Sequence, residues 1–370
     1  MMRTRRTVVI AATALAFSVW SAKSVPAQSS RVVNVYNWSD YIDPKVLDDF
    51  TRKTGIKVQY DTFDANETLE TKLLAGKSGY DVVVPTAYFL ERQIKAGVFQ
   101  KLDKQRLNNL GNVWPEIASR LAIYDPGNQY AVNYMWGTTG IGYNIKALQG
   151  RLGPTAKVDS WDFVFNPDNL AKFRDCGIHM LDSADDIVPA ALHYLGLDPN
   201  STDPKDLDKA AGLLEKIRPL VRKFHSSEYL NALASGEICL VVGWSGDIKQ
   251  AQKRAMEAKN GISIGYSIPK EGAQMFFDNL AIPKDAAHVA EAHVFIDYLL
   301  QPEVAAMNSN LVAYANGNLA SQKFIDKSVL DDRSIYPDSA TMSRLYTVTA
   351  RDQKSQRLIN RLWTKIKTGR

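Results

Sequence analysis

Histidine and cysteine are scarce in this 370-residue chain, with five and two copies. The histidines, His179, His193, His225, His288 and His293, show no metal-ligand spacing. His288 and His293 stand around an amphipathic run and read as a solvated face. No P-loop is present, and no G-x-G-x-x-G follows a strand pattern. Gly243-Trp244-Ser245-Gly246 resembles a nucleophile elbow only superficially, because its second glycine comes one place too early. These absences argue against nucleotide-binding, metal-dependent and hydrolase chemistry. They lower the odds of an enzyme, and no catalytic residue, metal site or cofactor is expected. Repeats, low-complexity stretches and Gly/Ser linkers are missing as well.

A strong charge of either sign is also missing. Forty-five basic side chains face 40 acidic ones, for a net +5. Residues 1–27 hold four of the basic groups, Arg3, Arg5, Arg6 and Lys23, and no acid, so the rest of the chain carries only +1. No basic stripe with interleaved aromatics appears, so neither nucleic acid nor a membrane surface is expected as a partner.

The first 27 residues have a different use. Arg3, Arg5 and Arg6 precede an apolar run from Val8 to Trp20, followed by the small-residue step Val25-Pro26-Ala27. This is the order of a cleaved signal peptide. The run is too short for the roughly 20 apolar residues that span a bilayer. Arg5-Arg6 hints at a twin-arginine signal, which the following residues fit poorly. Export to the periplasm is expected. Residues 28–370 exceed the roughly 100–200 residues of a typical domain, and 45% hydrophobic with 23% charged residues is ordinary for a globular protein. In an oxidising compartment Cys176 and Cys239 are disulfide candidates; two buried thiols or a metal pair are the alternatives.

Local signals describe an α/β protein. Arg31–Tyr36 alternates as a strand, and Asp43-Pro44 offers an N-cap and a first-turn proline. Gly55 fits a helix end. Ile56, Val58 and Tyr60 alternate again, and 66–75 reads as a helix carrying Leu69, Leu73 and Leu74, stopped at Gly76. The apolar run 80–85 reads as a buried parallel strand, and 89–96 as a short helix. This rhythm predicts a parallel sheet. A second block begins near Gly137, led in by Gly140-Ile141-Gly142-Tyr143-Asn144. Helical periods run through 190–195, 210–224, 227–234 and 289–300, and strands through 238–242, 262–268 and 277–283.

Aromatic residues recur beside carboxylates in loops and at strand ends. The sets are Asn37-Trp38-Ser39-Asp40-Tyr41, Trp244-Ser245-Gly246-Asp247, Phe276-Phe277-Asp278 and the acidic helix start Asp182-Ser183-Ala184-Asp185-Asp186. An ammonium removed from water needs a carboxylate, and aromatic faces attract cations while covering a methylene chain. Acids at both ends of an aromatic slot suit a molecule with two amines. Each residue also has a plainer reading: helix caps for Ser39 and Asp40, a turn for Asp278, dipole partners for Asp185 and Asp186, core packing for Trp244 and Phe276.

The motifs Val35-Tyr36-Asn37-Trp38-Ser39-Asp40-Tyr41-Ile42, Tyr80-Asp81-Val82-Val83-Val84-Pro85, the segment Tyr134–Asn144, Phe224-His225-Ser226-Ser227, Val242-Gly243-Trp244-Ser245-Gly246-Asp247 and Ile268-Pro269-Lys270-Glu271-Gly272 resemble the periplasmic polyamine-binding proteins of ABC importers, above all the putrescine-binding ones. The resemblance covers nearly all of the chain after the leader. It implies a two-lobed type II (Venus-flytrap) α/β fold with hinge crossings. The expected lobes are 28–137 with 279–305, and 138–278 with 306–370. It also implies a ligand cleft in which Trp38 and Phe276 sandwich the methylene chain and Trp244 and Tyr41 wall it. Asp278 would hold one ammonium and Asp247 would act toward the other end. Ser39, Asp40, Thr86, Ser226 and Tyr314 would add polar contacts, and the family's acid after the first cysteine falls at Asp185 or Asp186, aligned here to Asp186. Two departures stand out: Tyr88 where a serine is common, and Ser183 where an alanine is expected. The cysteine pair matches the family's disulfide. The implied partners are a polyamine and the inner-membrane permease, with the protein itself a monomer. A ligand with a carboxylate would call for an arginine, and iron for clustered tyrosines or histidines; neither pattern is visible.

Overall fold

In the computed structural model, residues 31–369 are described; the expected signal peptide lies outside them. The ten strands are β1 (Val32–Trp38), β2 (Lys57–Phe63), β3 (Val82–Val83), β4 (Ala131–Asn144), β5 (Ile178–Met180), β6 (Lys223–Phe224), β7 (Leu240–Trp244), β8 (Ile264–Ser267), β9 (Met275–Ala281) and β10 (Ala315–Asn316). Their order is β2-β1-β3-β9-β4-β7-β5-β6, with β8 and β10 also pairing to β4.

The expected parallel arrangement holds within each half and fails between them. β2, β1 and β3 are parallel, as are β6, β5 and β7. β9 and β4 run antiparallel to their neighbours, so the sheet is mixed. β4 links the halves: Ala131–Thr138 pairs with β9 and Thr139–Tyr143 pairs with β7. Residues 140–144, expected as a lead-in to the second block, are part of this strand. Within the strand its glycines permit close approach. A Cβ at Gly137 would stand 2.9 Å from both the Phe276 ring and Ser245 Oγ.

Two hydrophobic cores result. The first takes residues from Val33 to Trp136 and from Met275 to Val348; the second takes Ile141 to Ala273 and Ile359 to Ile366. The chain passes between them along β4, along 268–274 and again after Val348. This packing differs from the expected division at two places. Met275, Phe276 and Phe277 join the first core, as do Val312, Tyr314, Val329 and Tyr336, because β9 and β10 pair with the first half of β4.

Local signals explain the helices. Asp43 caps Pro44–Thr54 by accepting from Lys45 N at 2.9 Å, and Gly55 ends it at φ +69. Other expectations miss. Leu74 is 57% exposed instead of joining Leu69 and Leu73. His293 is buried rather than solvated, and its Nε2 accepts from Asp103 N at 2.9 Å. No helix of the described residues is long and apolar enough to cross a membrane.

Candidate functional site

Strand ends and helix starts from both cores converge on one cleft. Trp38, Ser39, Asp40 and Tyr41 leave the C-terminal end of β1, where open α/β sheets present their binding residues. Thr86 and Tyr88 open the helix Ala87–Lys95, Phe276 and Asp278 lie in β9, and Tyr314 precedes β10. From the second core come Asp186 in the first turn of the helix Ala184–Tyr194, Ser226 after β6, Trp244 ending β7, and Asp247 in the first turn of the helix Ser245–Ala258. All thirteen singled-out residues line this cleft, joined by Phe63, Asp64, Asn66, Ser227 and Leu230.

Its aromatic walls meet at the second core's tryptophan. The Trp244 ring lies 5.6 Å from Trp38 and 6.4 Å from Phe276, edge-on to each. Trp38 is held by its Nε1, which donates to Val84 O at 2.9 Å, and by Phe63 at 4.6 Å. Tyr314 closes the far side, 4.9 Å from Tyr41 and 6.3 Å from Phe276.

Three carboxylates stand in this apolar frame. Asp278 accepts from Tyr41 Oη and Thr86 Oγ1, each at 2.7 Å. Asp247 accepts from Tyr229 Oη at 2.7 Å and from Tyr314 Oη at 2.8 Å. Asp186 accepts from Thr139 Oγ1 at 2.6 Å, Ser183 Oγ at 2.7 Å and Trp244 Nε1 at 3.3 Å. Every donor is neutral, and none of the three acids is among the ion pairs of the described residues. Burial pushes Asp278 up to about 7 and Asp247 up to about 6 despite those donors. Burial raises Asp186 as well. Removing charge from water without a counter-charge is the cause.

Two neighbouring acids are already paired. Asp185 forms a buried ion pair with Arg351, so of the two adjacent aspartates it is Asp186 that faces the cleft. Asp40 lines the cleft, with its carboxylate bound to Arg254 at 2.7 Å. Tyr88 is buried at the Asp186 end, its hydroxyl pKa raised by burial and then by Asp186.

Residues 45–333 match the family model for bacterial extracellular solute-binding proteins. The chain belongs to that family. A putrescine-binding periplasmic protein, SpuD of Pseudomonas aeruginosa, is 52% identical, with 93% of this chain and 94% of the relative covered. PotF of Escherichia coli, also a putrescine-binding periplasmic protein, is 48% identical, with 93% of each covered. Among solved structures, a spermidine/putrescine ABC transporter protein from Listeria monocytogenes superposes with a TM-score of 0.82 at 32% identity, covering 92% of this chain and 100% of that one. The fold is thus the two-lobed α/β fold of periplasmic substrate-binding proteins.

As in an exported binding protein, Cys176 and Cys239 form a disulfide, with Cα atoms 5.6 Å apart. It joins the turn before β5 to the residue before β7. The sequence reading missed Tyr229 and Thr139, which donate to Asp247 and Asp186. Tyr229 falls in an expected helical period, and Thr139 at the start of the second block, just before its glycine-rich lead-in. Asn66 was also missed; its Nδ2 and Oδ1 hold Thr86 at 3.0 and 3.1 Å.

Proposed function

We propose that this periplasmic solute-binding protein captures putrescine or a related polyamine in the cleft and delivers it to the permease of an ABC importer. One observation carries the reading: three buried carboxylates, none with a cationic partner, surround an aromatic slot. Two ammonium groups would supply the missing charge, and Trp38, Trp244 and Phe276 would cover the methylene chain between them. Asp278 would take one amine, and Asp247 with Asp186 the other end. Ser39, Asp40, Thr86, Ser226 and Tyr314 would contribute polar contacts. The cores act as lobes that close on the ligand, which favours the closed form by its higher affinity for it. The putrescine-binding relatives support the ligand class, and the protein is expected to bind without chemistry. Calorimetry with putrescine, cadaverine, spermidine and an amino-acid control tests this; tight binding of the amino acid and none of the amines would refute it.

A longer polyamine is the second reading. A side branch of the cleft beside Asp186 is lined by Asp64, Glu67, Asp182 and Ser183. A further ammonium placed there would meet Asp64 and Glu67 beside Asp186, while Asp182 is already paired with Lys367. Tighter binding of spermidine than of putrescine in that calorimetry would favour this reading.

A further inference from the structure

The helix Ser245–Ala258 belongs to the second core through Ile248, Ala251 and Ala255. Its other face holds the first core at several points. Asp247 bonds to Tyr314, Gln250 Nε2 donates to Asp40 O at 3.2 Å, and Arg254 pairs with Asp40. One further contact lies outside the cleft lining: Lys249 Nζ stands 2.7 Å from Asp332 Oδ2. Asp332 sits between Val329 and Ile335 of the first core. The pair is better shielded than Arg254–Asp40, with side chains 18% and 23% exposed against 37% and 48%. Ser334 N and Oγ donate to the other Asp332 oxygen, which orients the carboxylate toward Lys249.

We propose that Lys249 and Asp332 form a latch that sets how long the lobes stay closed. The proposal rests on the polyamine reading, since closure matters only if a ligand is held. Neither residue lines the cleft, so the pair acts on release through the closed state. A pair of this exposure is worth a several-fold change in lifetime, and such changes fall mostly on dissociation.

Long-range charge makes the opposite forecast for one of the two residues. Neutralising Lys249 makes the cleft more negative, which favours a bound dication. Neutralising Asp332 does the reverse. A latch moves both variants the same way, because either change breaks one contact. The test is the dissociation rate of putrescine by stopped-flow tryptophan fluorescence, for wild type, Lys249→Gln, Asp332→Asn, the double variant and the charge swap Lys249→Asp with Asp332→Lys. Thermal unfolding of each ligand-free variant checks folding.

The expected result is release about three- to fivefold faster in both single variants, no further gain in the double variant, and recovery in the swap. Opposite shifts in the single variants, or unchanged rates, would overturn the latch. Absence of binding by wild type to putrescine and spermidine would sink the polyamine reading instead. Small-angle scattering of ligand-free protein then decides the latch alone: a larger radius of gyration for Lys249→Gln than for wild type supports it, and equal radii refute it.

Discussion

The two walls of the cleft hold their acids differently. On the first-core wall, Asp278 lies within β9 and has only two hydroxyl donors for support. On the second-core wall, Asp186 and Asp247 occupy the first turns of two helices. Unpaired N–H groups and the helix dipole favour negative charge there. Burial lifts the strand carboxyl to about 7, with the charges of Asp186 and Asp247 adding to it, and the helical Asp247 to about 6, where Arg254 works against the rise. Asp278 is therefore the acid that depends most on a cation from the ligand, while the second wall is partly prepared for charge before any ligand arrives.

The walls also differ in covalent restraint, and that gives the largest expected effect. Only the second core carries the disulfide, across a sequence separation of 63. Cys176→Ser with Cys239→Ser should lower stability by about 4 kcal/mol, with thermal unfolding as the check and the β5–β7 half losing hydrogen-exchange protection first. Next comes Asp278→Asn, expected to weaken putrescine binding by about 3 kcal/mol, roughly a hundredfold. Asp247→Asn should lose less, about 2 kcal/mol, since Asp186 and a helix terminus remain on its wall. Equal losses by calorimetry would erase the distinction between the walls.

The pH dependence has a definite sign. Both carboxyls are raised above their unfolded value of about 3.9, so the empty folded form holds more protons than the unfolded chain between about pH 4 and pH 7. Stability of the empty protein is therefore greatest at the acid end of that window and falls as pH rises through it. Ligand capture needs both groups ionised, so affinity should rise on the order of tenfold from pH 6 to pH 8, with proton release on binding near neutrality. Asp278→Asn should flatten most of this profile and Asp247→Asn less. The smallest effect is expected for Trp244→Phe, which keeps a ring but removes the Nε1 donor to Asp186. A loss of about 0.5–1 kcal/mol is expected in the same titration.

How far the site could be read from sequence follows the same division. Trp38 to Tyr41, Trp244 to Asp247 and Phe276 to Asp278 stand out because aromatic and acidic residues are adjacent in short motifs at strand ends. Their meeting in one cleft follows from the α/β topology. The resemblance aligns the acid to Asp186, but the residues alone leave Asp185 open, because the choice depends on Arg351, 166 residues from Asp185. Tyr229, Thr139 and Asn66 were silent for the same reason: a hydroxyl or amide becomes a site residue only through its tertiary partner. β4 was legible only in part. Its glycines break strand periodicity, and their purpose lies in the Phe276 and Tyr266 rings, the Ser267 carbonyl and the Ser245 and Ile248 side chains that close on them. Met275–Phe277 and much of 306–348 pack in the first core rather than with the second block that precedes them, because antiparallel pairing to β4 leaves no local signal.

Charge matching across the cleft is tested most directly by one calorimetric comparison at pH 8: putrescine, butylamine and 1,4-butanediol, which share a four-carbon chain and differ in charge. A cleft built for a dication predicts strong binding of putrescine, a loss of orders of magnitude for the monoamine, and no measurable binding of the diol. Comparable affinity for the diol and the diamine would contradict it.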